Sequence, residues 1–423
     1  MTDRRFRLTE AQATELAAQF GTPLYVLDES TIIANAKRYQ DALKREWPNC
    51  DVSYASKANS TLAVVKVAYE AGLTIDVASE GELRAAIKAG VPPEKCHLHG
   101  NNKSDAELRL GMELGIETIV IDHHDEIERI AKLREEIQSE TQYLLRIAPG
   151  VRPNTHSHIT TGSVDTKFGF SLLKGIAEAA ILRCIELKIP VVGIHCHVGS
   201  QLAEGDSQCE AAKNLGAFLV RMRDAHDVHL PVLNLGGGLG VQYLDSDDIE
   251  PVEDFCERLA ISAEWALGGS KDTHKLCVEP GRGIIGEAGV TLYTVGAIKS
   301  VPITDLIYKN YVAVDGGLSD NIRPALYSAA YDVRSFRKGP TQRTTVSGKH
   351  CETDTLFPDV LLPIDLQPGD LLQVLTTGAY NSSMANNYNR YPRPATVMIR
   401  QNGTYELVVK RETWDQLFER EVI

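Results

Sequence analysis

From about residue 50 the hydrophobic positions alternate between two periods. Short β-branched runs are followed by longer stretches with apolar residues three and four apart. The short runs predict strands at Asp51–Ser56, Thr74–Ala78, Cys96–His99, Thr118–Asp122, Gln142–Ile147, Val191–His197, Val232–Leu235 and Leu276–Glu279. The longer stretches predict helices at Ser60–Ala71, Glu80–Ala89, Asp105–Leu114, Asp125–Ile137, Leu172–Leu187, Cys209–Ala225 and Val252–Leu267. Strands that alternate with helices must run parallel, and eight such units read as a closed (βα)8 barrel. After Gly281 the texture changes to short strands broken by Gly and Pro: Val290–Ser300, Tyr311–Asp315, Thr344–Ser347, Leu371–Leu375 and Ala395–Gln401. The fold class is therefore α/β, a TIM-type barrel over 30–280 with a β-rich domain from 1–29 and 281–423. The opening run Pro23–Asp28 is strand-like and is expected to join the second domain.

A chain of 423 residues has room for a barrel of about 250 residues and a further domain. Hydrophobic content of 43% and charged content of 24% are those of a globular protein. A net charge of −13 argues against nucleic acid and anionic membrane as partners, since both call for a basic face. The polar start of the chain and the lack of a long apolar run predict a cytoplasmic protein. Its eight cysteines form no CxxC pair, which points away from a disulfide framework or a structural zinc site.

In a barrel, reactive groups sit at the carboxyl ends of the strands. Those ends carry Lys57, Asp76, His99, Arg146, His197, the run Gly236-Gly237-Gly238 and Glu279. A lysine there is most often a solvated surface group, but it can also be a nucleophile toward a carbonyl such as that of pyridoxal phosphate (PLP). The glycine run after the seventh strand suits a phosphate bound by backbone N–H groups, with a flexible turn as the bland alternative. Glu279-Pro280-Gly281-Arg282 offers a carboxylate that could keep a pyridine nitrogen protonated, or a plain surface ion pair. His195 and His197, two apart on a strand, could instead share one face and ligate a metal with His99, Asp76 or Glu279. That metal reading leaves Lys57, the glycine run and Arg282 without a role.

Taken in order, these motifs resemble the fold-type III PLP-dependent decarboxylases, and most closely the diaminopimelate decarboxylases of lysine biosynthesis. The resemblance runs from about Phe20 to about Val408. It is carried by Tyr54-Ala55-Ser56-Lys57-Ala58-Asn59, Asp76-Val77-Ala78-Ser79-Glu80-Gly81-Glu82, His99-Gly100-Asn101-Asn102-Lys103, Lys167-Phe168-Gly169 and His195-Cys196-His197-Val198-Gly199-Ser200-Gln201. It continues through the glycine run, Glu279-Pro280-Gly281-Arg282, Asp320 to Tyr327, Cys351-Glu352, Gly378-Ala379-Tyr380 and Asn387-Tyr388-Asn389.

The resemblance implies decarboxylation of meso-2,6-diaminopimelate to L-lysine and CO2. It implies that Lys57 holds PLP covalently, His197 lies against the ring and Glu279 holds the pyridine nitrogen. Ser200, Gly237, Gly238, Gly281 and Tyr380 bind phosphate in this reading, and no metal is required. Arg282, Arg323 and Tyr327 grip the substrate carboxylate remote from the chemistry, with Tyr380 nearby. Cys351, as proton donor, and Glu352, for the distal amino group, reach the neighbouring subunit's site in a homodimer. Two segments depart from the family pattern: Thr353-Asp354-Thr355 lacks an expected glycine, and Asn381-Ser382-Ser383-Met384 lacks an aromatic residue.

Three rivals stand beside this reading. A decarboxylase of ornithine, lysine or a carrier-bound substrate would differ around the arginines and Glu352. Alanine racemases present an arginine to the pyridine nitrogen where this chain has Glu279. A PLP carrier without enzymatic activity would resemble the barrel alone.

Overall fold

The computed structural model describes residues 3–151, 167–269, 271–352 and 355–423. The chain divides into two compact units. One comprises Ile33–Val241 with Asp248–Ile284, and the other Met1–Ile32, Gln242–Asp247 and Ile285–Ile423. The excursion Gln242–Asp247, which sequence reading left within 30–280, groups with the β-rich unit because Arg5 binds the Tyr243 carbonyl at 3.1 Å and also pairs with Asp245.

The first unit is a closed parallel barrel. Its strands are Cys50–Ala55, Thr74–Val77, Cys96–Leu98, Thr118–Ile121, Gln142–Ala148, Val191–His195, Val232–Asn234 and Lys275–Val278. Each pairs in parallel with its neighbour in sequence, and the ring closes where Leu276, Cys277 and Val278 meet Cys50, Asp51 and Val52. Helix Asp105–Leu114 coincides with its sequence expectation because both ends are coded locally. Ser104 and Glu107 form a capping box, and Gly115 stops the helix in the left-handed region at φ 67°. The sixth strand ends at His195, two residues short of its expected end, since Cys196 and His197 leave the strand. The first strand likewise gives way to a 3₁₀ turn at Ser56–Ala58, which carries Lys57.

The β-rich unit is built on one nine-stranded sheet. Leu24–Asp28 lies antiparallel to Gly289–Pro302 and parallel to Ala395–Ile399. Leu24, Val26, Val290, Leu292, Val397 and Ile399 form its core with Ala13 and Leu16 of helix Glu10–Phe20. That helix, helix Glu29–Glu46 and the strands Val333–Ser335, Thr355–Pro363 and Tyr405–Val409 were not predicted from the sequence.

At the strand starts, the end of the barrel away from the strand-end residues, polar groups are knitted together. His97 lies 3.1 Å from Glu117 and 3.2 Å from the Ser53 hydroxyl, while Lys275 lies 3.3 Å from Asp51 and 3.4 Å from Glu117. Burial opposes ionisation of both His97 and Glu117, but their mutual hydrogen bond and opposite charges outweigh it. The His97 pKa is raised, and that of Glu117 is lowered to about 2. The lowered Glu117 contributes stability above its unfolded value and loses it as pH falls toward 2, whereas the raised His97 contributes below about 6.5 and loses it as pH rises through its folded pKa. Glu117→Gln should therefore depress Tm most between about pH 5 and about pH 6.5, with the difference from wild type narrowing on either side. A difference that does not change with pH would contradict this coupling.

Candidate active site

Sequence forces a tight approach between backbone segments at the carboxyl end of the barrel. A Cβ on Gly237 would stand 2.2 Å from the Glu279 carbonyl oxygen, and one on Gly238, at φ 134°, would stand 2.6 Å from the Gly199 carbonyl. Only glycine permits both contacts. The loops after the sixth and seventh strands are stitched together by a bridge between Leu202 and Leu239 and by the Leu202 N–H on the Gly238 carbonyl at 3.0 Å. That stitch sets Ser200 beside the glycine run. The Ser200 hydroxyl accepts from the Arg282 Nη2 at 3.0 Å. Gly281 packs under the turn that carries Lys57, since a Cβ there would stand 2.9 Å from the Ala55 carbonyl and 3.1 Å from the Ala58 side chain. Lys57 is the exposed side chain in an otherwise buried run from Val52 to Asn59.

Behind these groups lies Glu279, 5% exposed. Its Oε1 accepts from the Asn234 amide at 2.7 Å and lies 3.2 Å from His99 Nε2, and its Oε2 lies 3.0 Å from His195 Nε2. His99 Nε2 is also 3.4 Å from Asp76 Oδ1. Burial works against ionisation of Glu279, yet the charge of His99 and the bond from His195 hold its pKa well below the usual carboxylate range. Asp76, on the other side of the same imidazole, is moved up, chiefly by burial. The two carboxylates are driven apart, Glu279 toward the anion and Asp76 toward the acid. Burial pulls His195 down to about 4, so at neutral pH it is an uncharged imidazole that can donate to Glu279 through Nε2.

The two histidines of the HxH motif do not form one set. His195 turns to Glu279, whereas His197 lies past the strand end next to Gly236, where a Cβ would approach its Nδ1 to 3.2 Å. Burial, then the charge of Lys57, pushes the His197 pKa well below its ordinary value. A neutral, half-buried ring of this kind can stack on a flat heterocycle. His99, His195 and Glu279 have the donor types of a metal site, but each imidazole already meets a different oxygen of one carboxylate.

The barrel unit thus brings together Lys57, His197, Ser200, Gly237, Gly238, Glu279, Gly281 and Arg282. In the β-rich unit, buried Arg323 begins the short helix Arg323–Tyr327. Its Nη1 donates to the hydroxyls of Tyr243 and Tyr331 at 2.7 Å each, and its guanidinium carbon lies 6.0 Å from the Tyr327 ring centroid. Tyr380 is held at φ 60° just after Gly378, where a Cβ would stand 1.9 Å from the Ile285 carbonyl. Cys351 and Glu352 are exposed and belong to a separate patch: the Cys351 N–H donates to Asn389 at 2.9 Å, and Glu352 bonds the Tyr388 hydroxyl. Thr353 and Asp354, where the loop departs from the family pattern, lie outside the described residues. Sequence reading missed Asn234, Tyr243 and Tyr331. Asn234 was within reach, as the last strand residue before the glycine run.

The donor set fits PLP: a lysine amine suited to an aldehyde, a glycine cradle with a hydroxyl suited to a phosphate, and a buried anion suited to a ring nitrogen. The family model "Pyridoxal-dependent decarboxylase, pyridoxal binding domain" matches residues 29–286. A diaminopimelate decarboxylase of Bacillus subtilis is 44% identical over 411 residues, which covers 96% of this chain and 92% of that protein. The solved structure of a diaminopimelate decarboxylase of M. jannaschii with L-lysine is 34% identical, with a TM-score of 0.90 over 100% of this chain and 97% of that one. One from Helicobacter pylori, also with L-lysine, is 29% identical, with a TM-score of 0.85 over 96% of this chain and 98% of that one.

The glycine cradle yields a direct test. Gly237→Ala must displace the Glu279 backbone, so PLP affinity should fall by about tenfold or more, as expected when a misplacement of about an ångström reaches a binding group. Gly81→Ala is the control: this exposed helical glycine meets only the Ser79 hydroxyl at 3.7 Å, so the change should leave affinity intact. Equal PLP dissociation constants for both variants would contradict the close approach. The closed parallel barrel, the ionised Glu279 behind a glycine cradle and the full-length similarity together identify this chain as a member of the diaminopimelate decarboxylase family of pyridoxal-dependent decarboxylases.

Proposed function

We propose that this chain decarboxylates meso-2,6-diaminopimelate to L-lysine and CO2, and that the observation carrying this reading is the ionised, triply held carboxylate of Glu279. When bound, the cofactor supplies an electron sink for the pair left on Cα as CO2 departs. Lys57 would hold the cofactor's aldehyde carbon, and Glu279 would hold a proton on the ring nitrogen. His197 would cover the ring face and exclude water there. Ser200, Gly237, Gly238, the backbone at Gly281, and Tyr380 would take the phosphate. The barrel unit, expected from sequence over 30–280, is assigned chiefly to the cofactor, and the β-rich unit, expected over 1–29 and 281–423, chiefly to substrate and subunit contacts.

Substrate choice is assigned to Arg282, Arg323 and Tyr327, which would bind the distal carboxylate, with Tyr380 beside them. The two tyrosine hydroxyls on Arg323 accept from a single nitrogen of a group that has five N–H donors. The remaining donors suit a carboxylate. Arg323→Ala should lower kcat/KM for diaminopimelate by roughly tenfold to a hundredfold, the loss of a charge-assisted hydrogen bond. Lysine and ornithine, which lack the second carboxylate, should release little CO2 with wild-type protein. Equal turnover of all three, with Arg323→Ala harmless, would move the reading to a basic amino-acid decarboxylase of the same fold.

The chain is further proposed to act as a homodimer, with Glu352 binding the distal ammonium and Cys351 returning a proton to Cα in the partner's site. Support comes from the exposure of both residues and from the exposed apolar group Ile298, Ile303, Leu306, Ile307 and Tyr308 in the same unit. Six buried free thiols are consistent with a reducing, cytoplasmic setting, and among the described residues no helix is long and apolar enough to cross a membrane. Mixed dimers of inactive Lys57→Ala and inactive Cys351→Ala chains should regain activity, because one of their two sites is intact. Failure to regain it despite proven subunit exchange would place Cys351 in its own chain's site or outside catalysis.

A further inference from the structure

The loop after the third barrel strand contains a buried ion pair that the chemistry above does not use. Lys103 folds back beneath its own loop, with Nζ 2.7 Å from Glu126 Oε1, and the two side chains are 2% and 0% exposed. The same ammonium donates to the Gly100 carbonyl at 2.6 Å and to the Val120 carbonyl at 2.7 Å. Two of its donors are thus taken by backbone carbonyls, and its charge is met by Glu126 as an ion pair. The other oxygen of Glu126 accepts from the Asp122 N–H at 3.0 Å, and Arg129 binds the Lys103 carbonyl from outside at 2.8 Å. The pair ties the start of the loop to the end of the fourth strand and to the helix that follows it.

A buried ion pair is a weak source of stability, because apolar residues of the same volume commonly do as well or better. Its geometry is what the loop gains. Gly100 sits at φ 130°, a conformation that a side chain would strain, and its carbonyl is pinned by Lys103. The residue before it is His99, whose backbone N–H is fixed on the Val77 carbonyl at 2.8 Å and whose Nε2 stands between Asp76 and Glu279. We infer that the Lys103–Glu126 pair is a latch that positions His99 so that it braces Glu279 against Asp76. The inference rests on the reading above that Glu279 holds the cofactor's ring nitrogen. Lys103 and Glu126 are positioning residues that act through His99.

The test uses the full chain loaded with PLP. Three quantities are read: Tm, the PLP dissociation constant, and the pH midpoint at which the cofactor's visible absorbance changes. Lys103→Met/Glu126→Met removes both charges together, which avoids leaving one of them buried without its partner. It should keep a Tm near that of wild type, weaken PLP binding by about tenfold to a hundredfold and move the absorbance midpoint. His99→Gln should give the same two changes, and combining it with the double variant should add little further, because all act through one contact. A double variant with native affinity and midpoint would overturn the latch, as would full additivity with His99→Gln. If the double variant fails to fold, His99→Gln alone decides, since native affinity and midpoint in that variant would also overturn it. A wild-type chain that takes up no PLP would instead remove the reading on which the latch rests, and the latch with it.

Discussion

An ionised carboxylate inside a barrel is expensive, and the site is organised around meeting that cost at Glu279. Removing such a group from water costs several kcal/mol even after the protein relaxes. Hydrogen bonds to charged groups return about 1.5–3 kcal/mol each, so one partner would be too few. Asn234 and His195 supply two hydrogen bonds and His99 a charge contact at 3.2 Å, from the ends of the seventh, sixth and third strands. Their convergence requires a closed ring, because strands so far apart in sequence meet only when the first and eighth strands pair.

The same constraint explains the glycines. Glu279 can reach its partners only if its backbone lies against Gly237, and the Lys57 turn can lie over Gly281 only if that residue lacks a side chain. Lys57, Glu279 and the glycine run thereby share one end of the barrel. The opposite end holds another charged network, in which His97, Glu117, Asp51 and Lys275 neutralise one another without a visible catalytic role. Position in the barrel separates the two: strand ends present side chains to converging loops, while strand starts close the base.

Much of this was legible in the chain. Period and length fixed the barrel because parallel strands buried on both faces read as unbroken apolar runs. Lys57, Glu279 and the glycine run could be found because they fall just where those runs stop. The pairing of His195 with His197 could not be judged, since it turned on whether the strand ended two residues early. The tyrosine surroundings of Arg323 were illegible for a different reason: Tyr243 lies 80 residues from Arg323 and in a segment that sequence reading gave to the barrel. The opening helices were passed over because the alternation that reveals a barrel begins after them.

The proposed activity depends on Glu279 as an anion that keeps the cofactor's ring nitrogen protonated. Nitrogen-15 NMR of the protein loaded with ring-labelled PLP measures this at the atom concerned. A resonance typical of a protonated pyridine nitrogen is expected across the neutral pH range, lost when Glu279 is replaced by alanine. A resonance typical of an unprotonated pyridine in the wild-type protein, unchanged in Glu279→Ala, would contradict it.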